Sequence, residues 1–194
     1  VRDLTRATLV YTLAYTGVRW GECVALRVRD RNQLKRRLHV RRNAVEVEGK
    51  IELGAPKSWE KRTVPYPAFL DTLLDALCNG KGPDDLIFPS DLDGYQRRPT
   101  TAEDSTSWYR LASTRAGLER LTLHDLRHTA ASLAVASGAH VKVVQKMLGH
   151  ESAAMTLDTY ADLFDGNLDD IAERMDTRGA QYAATVLAAV GVAA

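Results

Sequence analysis

Three short segments of this sequence place groups able to handle an oxyanion at helix-turn spacing. In TLHDLRHTAAS, His124 and Arg127 lie three residues apart. A helix would therefore set an imidazole and a guanidinium on one face, beside an apolar stripe of Leu123, Leu126, Ala130 and Leu133. Such a pair suits an oxyanion whose charge must be neutralised while a proton moves. His128, four residues after His124, also permits a metal reading, but no HExxH pattern, cysteine pair or third ligand at metal spacing accompanies it. In KMLGHESAAMTLDTYADLF, His150 follows Gly149, a helix-ending residue, so backbone geometry would hold it; Tyr160 stands ten residues later. In YTGVRWGECVAL, Arg19 sits between Gly17 and Gly21-Glu22, with Glu22 three residues on as a salt-bridge partner. Each segment alone has a bland reading: a core tyrosine, a helix-end histidine, a surface arginine. Their joint occurrence does not.

Presenting these groups together requires a helical scaffold. Residues 3–16 place Leu4, Ala7, Leu9, Val10, Leu13 and Ala14 at helical spacing, and Gly17 stops or bends that helix. A second apolar pattern, Glu22 to Leu26, leads toward Asp30. The stretches 34–41 and 44–53 are rich in β-branched residues with partial alternation and are expected as strands. Residues 62–66 add an edge strand, with Pro65 ending its hydrogen bonding. Helices are expected over 69–78, broken by Asn79-Gly80 and Gly82-Pro83, and over 103–116, with 84–101 mostly loop. Thr122, with Asp125 three residues on, is an N-cap for a helix to about Ser137, stopped by Gly138. A helix over 141–148, further helical segments over 152–175 and an alanine-rich apolar tail complete the chain. The fold class is α+β, mostly helical with a small antiparallel sheet inserted early.

The chain has 194 residues, 45% hydrophobic and 26% charged, the composition of a globular protein rather than a disordered one. A net charge of +1 excludes a histone-like basic chain and taken alone argues against a nucleic-acid partner. Its distribution argues otherwise. Arg27, Arg29, Arg31, Lys35, Arg36, Arg37, Arg41 and Arg42 face one acid, Asp30, across residues 27–42, for a local +7. Residues 151–176 carry eight acids against Arg174 alone, a local −7 that cancels it. Screening acts over about 8 Å at physiological salt, so a local basic surface binds phosphates whatever distant acids do. Cys23 and Cys78, in apolar surroundings, read as buried thiols of a reducing compartment. No run of eighteen apolar residues is present, so no transmembrane helix or membrane partner is expected.

The combination resembles the catalytic domain of the tyrosine recombinases, the phage-integrase family, and most of all integrases of actinobacterial phages and mobile elements. TGVRWGE resembles the family's first-arginine segment, HDLRH its His-x-x-Arg box, LGH its second-histidine box, and Tyr160 its nucleophile. APKSWEKRTVP resembles the segment carrying the catalytic lysine on a β-hairpin, which makes that residue Lys57, with Lys61 the alternative. Asp162 stands where many members carry a histidine, and Trp59 where small or polar residues are commoner.

The resemblance implies the tyrosine recombinase catalytic fold over residues 1–177 and site-specific DNA cleavage and rejoining through a phosphotyrosyl link. The catalytic set would be Arg19, Lys57, His124, Arg127, His150 and Tyr160, with no metal or other cofactor. The eight basic residues of 27–42 become candidates for contact with the DNA backbone. It further implies attachment-site duplex DNA as partner, a homotetramer on that DNA, a DNA-bending host factor, a directionality factor and a cytoplasmic, nucleoid-associated location. The tail 178–194 would pack on its own domain or dock on a neighbouring protomer. Nothing in the sequence resembles the N-terminal core-binding or arm-binding domains of the family. Three other readings are a helix-turn-helix reader built on residues 124–148, which leaves Arg19 and Tyr160 unused, a type IB topoisomerase, and a metal hydrolase.

Overall fold

A computed structural model of the chain describes residues 2–55, 61–90, 94–118, 121–164, 173, 175 and 176. Lys57 and the tail 178–194 lie outside the described residues. The chain divides into two compact units, Val1–Tyr160 and Ala161–Ala194. In the second, the described residues include a 3-10 turn over Ala161–Leu163, closed by the Phe164 N–H on the Ala161 carbonyl at 2.8 Å.

The first unit begins with α1 (Arg2–Thr16), α2 (Trp20–Val24) and a 3-10 turn, Val28–Asp30. Five short strands follow: β1 (Arg31–Asn32), β2 (Arg37–Val40), β3 (Asn43–Val47), β4 (Lys50–Gly54) and β5 (Arg62–Pro65). Then come α3 (Phe69–Cys78), α4 (Trp108–Arg115), α5 (Asp125–Ala136), α6 (Val141–Leu148) and α7 (Ala153–Tyr160). β1, β2 and β5 form an antiparallel sheet in that order, and β3 with β4 forms a separate hairpin. The α+β architecture is as expected, with β5 at an edge.

Two strand expectations need correction. The 44–53 stretch is a hairpin rather than one strand, because Glu48 and Gly49 both take positive φ (48° and 77°), the conformation of a tight two-residue turn. The 34–41 stretch begins as a turn, with Arg36 at φ 47°, and becomes strand only at Arg37. The helix expected from 103 starts at Trp108, where the Ser107 hydroxyl accepts the Arg110 N–H. The Thr122–Asp125 box is present in both directions: the Thr122 N–H reaches Asp125 Oδ2 at 2.7 Å and the Asp125 N–H reaches Thr122 Oγ1 at 3.2 Å.

The core is one cluster. Leu9 and Leu13 of α1, Leu38 and Val40 of β2, Val64 of β5, and Leu70 and Leu74 of α3 are all buried in it, as are Ile87 and Phe88 from the loop after α3. The buried face of α1 also carries Thr8, Thr12 and Thr16, a row that an apolar-stripe reading passes over. Thr12 and Thr16 donate to carbonyls four residues back, Thr12 Oγ1 to the Thr8 carbonyl at 2.7 Å, so their hydroxyls stay satisfied where water is excluded. Opposite α1, α5 turns Ala130 and Ala131 inward, and these small side chains let the two helices approach closely.

Gly21 fixes where α2 meets the β3 hairpin, since a Cβ there would run into the Ala44 carbonyl and Asn43 Oδ1. Gly21→Ala should lower the urea unfolding free energy by about 1–3 kcal/mol. An unchanged midpoint would mean that this junction is loosely packed.

Candidate active site

The turn after α1 sets the first arginine. Gly17 adopts φ +65° and its N–H returns to the Leu13 carbonyl at 3.0 Å. A Cβ on Gly17 would lie 2.6 Å from Leu148 Cδ2 and 3.2 Å from Ala130 Cβ, so α5 and α6 close directly over this turn. Arg19 then caps α2: its backbone N–H donates to Glu22 Oε2 at 2.8 Å and its guanidinium to Glu22 Oε1 at 3.3 Å.

Glu22 has 1% of its surface exposed and also takes both arms of the Arg62 fork, Nη1 to Oε1 at 2.8 Å and Nη2 to Oε2 at 2.6 Å. Burial pushes the Glu22 carboxyl upward, but the hydrogen bonds and charges of Arg62 and Arg19 outweigh it and hold the group below its ordinary value. Arg62 Nε donates to the Met147 carbonyl at 3.1 Å, which ties β5 to the end of α6. There Gly149 takes the left-handed conformation (φ 68°), and a Cβ on it would come within 2.9 Å of the Arg62 side chain.

Arg127 of α5 is buried and held entirely by main chain in the described contacts. Its Nη1 donates to the Gly17 carbonyl and its Nη2 to the Leu148 carbonyl at 2.6 Å. Burial, then the positive charges of Arg19 and Arg62, lower its pKa to about 10, so it remains a cation at neutral pH. Three guanidiniums thus share one neighbourhood with a single buried carboxylate. An electropositive site of that kind is suited to an anion.

Tyr160 ends α7 with 6% of its surface exposed. Its hydroxyl makes a hydrogen bond of 3.0 Å with His128 Nδ1. His150 lies parallel to the tyrosine ring, with centroids 6.4 Å apart and 8° between planes, and its Nδ1 is 3.0 Å from the Thr156 hydroxyl. Burial, with the charges of Arg127, Arg19 and Arg62, lowers the His150 pKa to about 4, so the ring is neutral at pH 7. Burial raises the tyrosine's pKa, while Arg127 draws it back down. His124, just before α5, meets the His128 ring edge to face at 4.9 Å, and burial followed by the neighbouring charges lowers its pKa too.

Of the residues singled out in the sequence, the structure therefore gathers Arg19, His124, Arg127, His150 and Tyr160. Lys57 lies outside the described residues; the alternative, Lys61, is exposed immediately before β5. Sequence reasoning missed Arg62, an edge-strand residue whose inward fork has no local signature, and it left His128 as half of a metal pattern. Among the described residues no three His, Cys, Asp or Glu side chains gather to hold a metal ion, and no helix is long and apolar enough to cross a membrane.

The basic block resolves into two classes. Arg27 and Arg29 pair with Asp84, and Arg41 and Arg42 with Asp30. Arg31, its side chain 5% exposed, is locked between Asp71, Asp75 and the Tyr66 ring. Lys35, Arg36 and Arg37 stand exposed on the β1–β2 turn and its exit.

The family model described as "Phage integrase family" matches residues 2–166. The chain is 30% identical over 165 residues to Transposase A from transposon Tn554 of Staphylococcus aureus, covering 84% of this chain and 45% of that protein. It is 31% identical over 158 residues to the integrase of Mycobacterium phage D29, covering 76% and 41%. The chain thus spans less than half the length of these curated relatives. Among solved structures, the Tn1549 transposon integrase in complex with transposon right end DNA shares the fold, with a TM-score of 0.68 at 20% identity, covering 90% of this chain and 59% of that one.

Glu22→Gln leaves two guanidiniums facing an uncharged amide inside the protein and should cost about 3–5 kcal/mol at neutral pH. The folded-state carboxyl is held low, so its contribution is complete above the unfolded value of about 4.3 and is lost as pH falls through the lower folded one. The gap in urea unfolding free energy between parent and variant should therefore shrink below pH 4. A gap independent of pH would show that the carboxylate charge is not what holds the arginines.

Proposed function

This chain belongs to the phage integrase family, and from that membership and the site's geometry we propose that it cuts and rejoins DNA strands through a covalent link to Tyr160. The observation that carries the reading is a tyrosine hydroxyl already hydrogen-bonded to an imidazole, beside one arginine held by backbone carbonyls and another held by the Glu22 carboxylate.

On this reading Tyr160 Oη attacks a DNA phosphodiester, forming a 3′-phosphotyrosyl bond and releasing a 5′-hydroxyl. The bond energy is retained, so a 5′-hydroxyl from a second strand reverses the step on a new partner. Arg19 and Arg127 bind the non-bridging oxygens and offset the charge that builds up in the pentacoordinate transition state. His150 is neutral, and the Thr156 hydroxyl can donate to its Nδ1 only in the tautomer that carries the proton on Nε2. That tautomer donates to a phosphate oxygen. His124 makes a second such hydrogen bond, and Lys57 protonates the departing 5′-oxygen.

Lys35, Arg36 and Arg37 contact the DNA backbone, while the ion-paired arginines of the same block brace the fold. We extend the proposal to the whole protein: it recombines the attachment sites of a mobile element as a homotetramer, in the cytoplasm.

The deciding experiment offers the chain a randomised library of nicked duplexes and scores adducts that survive denaturation. Tyr160→Phe should give none; adduct formation by that variant would remove Tyr160 from the role. Arg127→Ala should lose adduct formation at least about 100-fold more than it loses duplex binding. Equal losses would reduce Arg127 to a binding residue. Replacing Lys35, Arg36 and Arg37 together by alanine should flatten the slope of log binding constant against log salt by about 2–3, since each phosphate that a cation neutralises adds roughly 0.9 to that slope. An unchanged slope would place the DNA elsewhere.

A further inference from the structure

The pairing of Tyr160 with His128, rather than with His124, is the least expected contact in the site. We propose that His128 takes the proton from Tyr160 as the tyrosine attacks; this assignment rests on the reading of Tyr160 as the nucleophile. Three features of the geometry carry it. First, the tyrosine hydroxyl has a basic nitrogen, His128 Nδ1, at 3.0 Å, within the range for direct proton transfer. Second, His128 and Arg127 are consecutive on α5, and Arg127 is anchored at both ends of its fork to the Gly17 and Leu148 carbonyls. The helix turn that bears the base is thereby fixed to the same frame as the phosphate-binding arginine. Third, the Tyr160 ring is confined between the His128 and His150 rings, at 5.5 Å and 6.4 Å between centroids, so the hydroxyl is directed at the nitrogen.

The groups facing His128 also suit the task. From α5 comes Asp125, from the residue just before it His124, from α7 Tyr160 itself, and from the α6–α7 link His150. Burial is the leading cause holding both neighbouring imidazoles below their ordinary values, so neither competes as a cation at neutral pH. Arg127 lies close enough to favour the phenolate as it develops.

The step balances as follows. An electron pair of Tyr160 Oη forms the O–P bond while the hydroxyl proton passes along the existing hydrogen bond to His128 Nδ1, giving an imidazolium. The P–O5′ bond breaks, its electron pair leaves with the 5′-oxygen, and a separate acid protonates that oxygen. On rejoining, the 5′-hydroxyl loses its proton to that acid's conjugate base, attacks phosphorus, and the imidazolium returns its proton to the tyrosine.

The test uses the chain with a duplex recovered from the adduct library, in two forms. One carries the native 5′-oxygen leaving group; the other carries 4-nitrophenol on the scissile 3′-phosphate, which departs without protonation. His128→Asn places an amide where Nδ1 stood, able to hydrogen-bond the tyrosine but not to accept its proton. It should bind the duplex within about twofold of the parent and lower the single-turnover rate at pH 7 about 100-fold on both forms, the lower end of what a general base contributes. The loss should shrink as pH rises toward the ionisation of the phenol itself, and His124→Asn should not reproduce that pH dependence. His128→Gln, expected to show the same loss, serves if the Asn variant fails to fold by thermal melting. A rate within about threefold of the parent at pH 7, or a loss confined to the native leaving group, overturns the assignment while leaving Tyr160 in place. A parent that forms no adduct, or a Tyr160→Phe variant that does, overturns the reading of the site itself and this assignment with it.

Discussion

The buried carboxylate of Glu22 is the point on which the active centre depends. Three guanidiniums gathered in one neighbourhood repel one another, and a fully exposed arrangement would scatter them. Glu22 sits below them, removed from water, and takes hydrogen bonds from two of the three. Its partner Arg62 reaches across to the last turn of α6, so the same ion pair links a helix near the N-terminus, the edge strand and the helix that leads to His150. What remains uncompensated is positive charge directed at a site beside Tyr160. On the proposed reading a DNA phosphate would supply the missing negative charge, which would make substrate part of the electrostatic balance of the centre rather than an addition to it.

The second organising constraint is steric. Gly17 and Gly149 both occupy the left-handed region, and both lie against side chains that leave no room for a Cβ. One shapes the turn that presents Arg19 and the other the turn that presents His150. The Gly17 turn lies against Ala130 of α5 and Leu148 of α6, and the Gly149 turn ends α6 against Arg62, so packing on α6 relates the two turns without a direct bond between Arg19 and His150. Tyr160, at the end of α7, meets α5 through His128, and Thr156, one turn earlier, is fully buried and hydrogen-bonded to His150.

Most helices and the edge strand were legible because local signals mark them, the glycine stops and the Thr122–Asp125 box; the five site residues that the structure brings together were marked only by the joint occurrence of their segments. The hairpin at Glu48-Gly49 was not, since Val45 and Val47 continue the same alternation on one side of the turn that Ile51 and Leu53 take up on the other. Arg62 was hidden for a different reason. An arginine before Thr-Val-Pro reads as a solvated edge residue, and only the approach of α2 and α6 turns it inward. The basic block misled in the opposite sense. Its +7 is real in the chain, yet Asp84, Asp71 and Asp75, distant in sequence, fold back to neutralise much of it. His128 was visible only as a spacing, because its partner lies thirty-two residues on.

The manner in which Arg127 is held has an evolutionary corollary. Its two described hydrogen bonds end on backbone carbonyls, which every amino acid supplies, so no change of side chain at position 17 or 148 can delete either acceptor. Arg19 and Arg62 instead hang on one carboxylate, and a single nucleotide change at the Glu22 codon disturbs both. Sequence drift should therefore erode this centre unevenly. The residue at position 22 and Arg62 are expected to change in concert, whereas Arg19 and Arg127 are retained by the phosphate chemistry proposed for them.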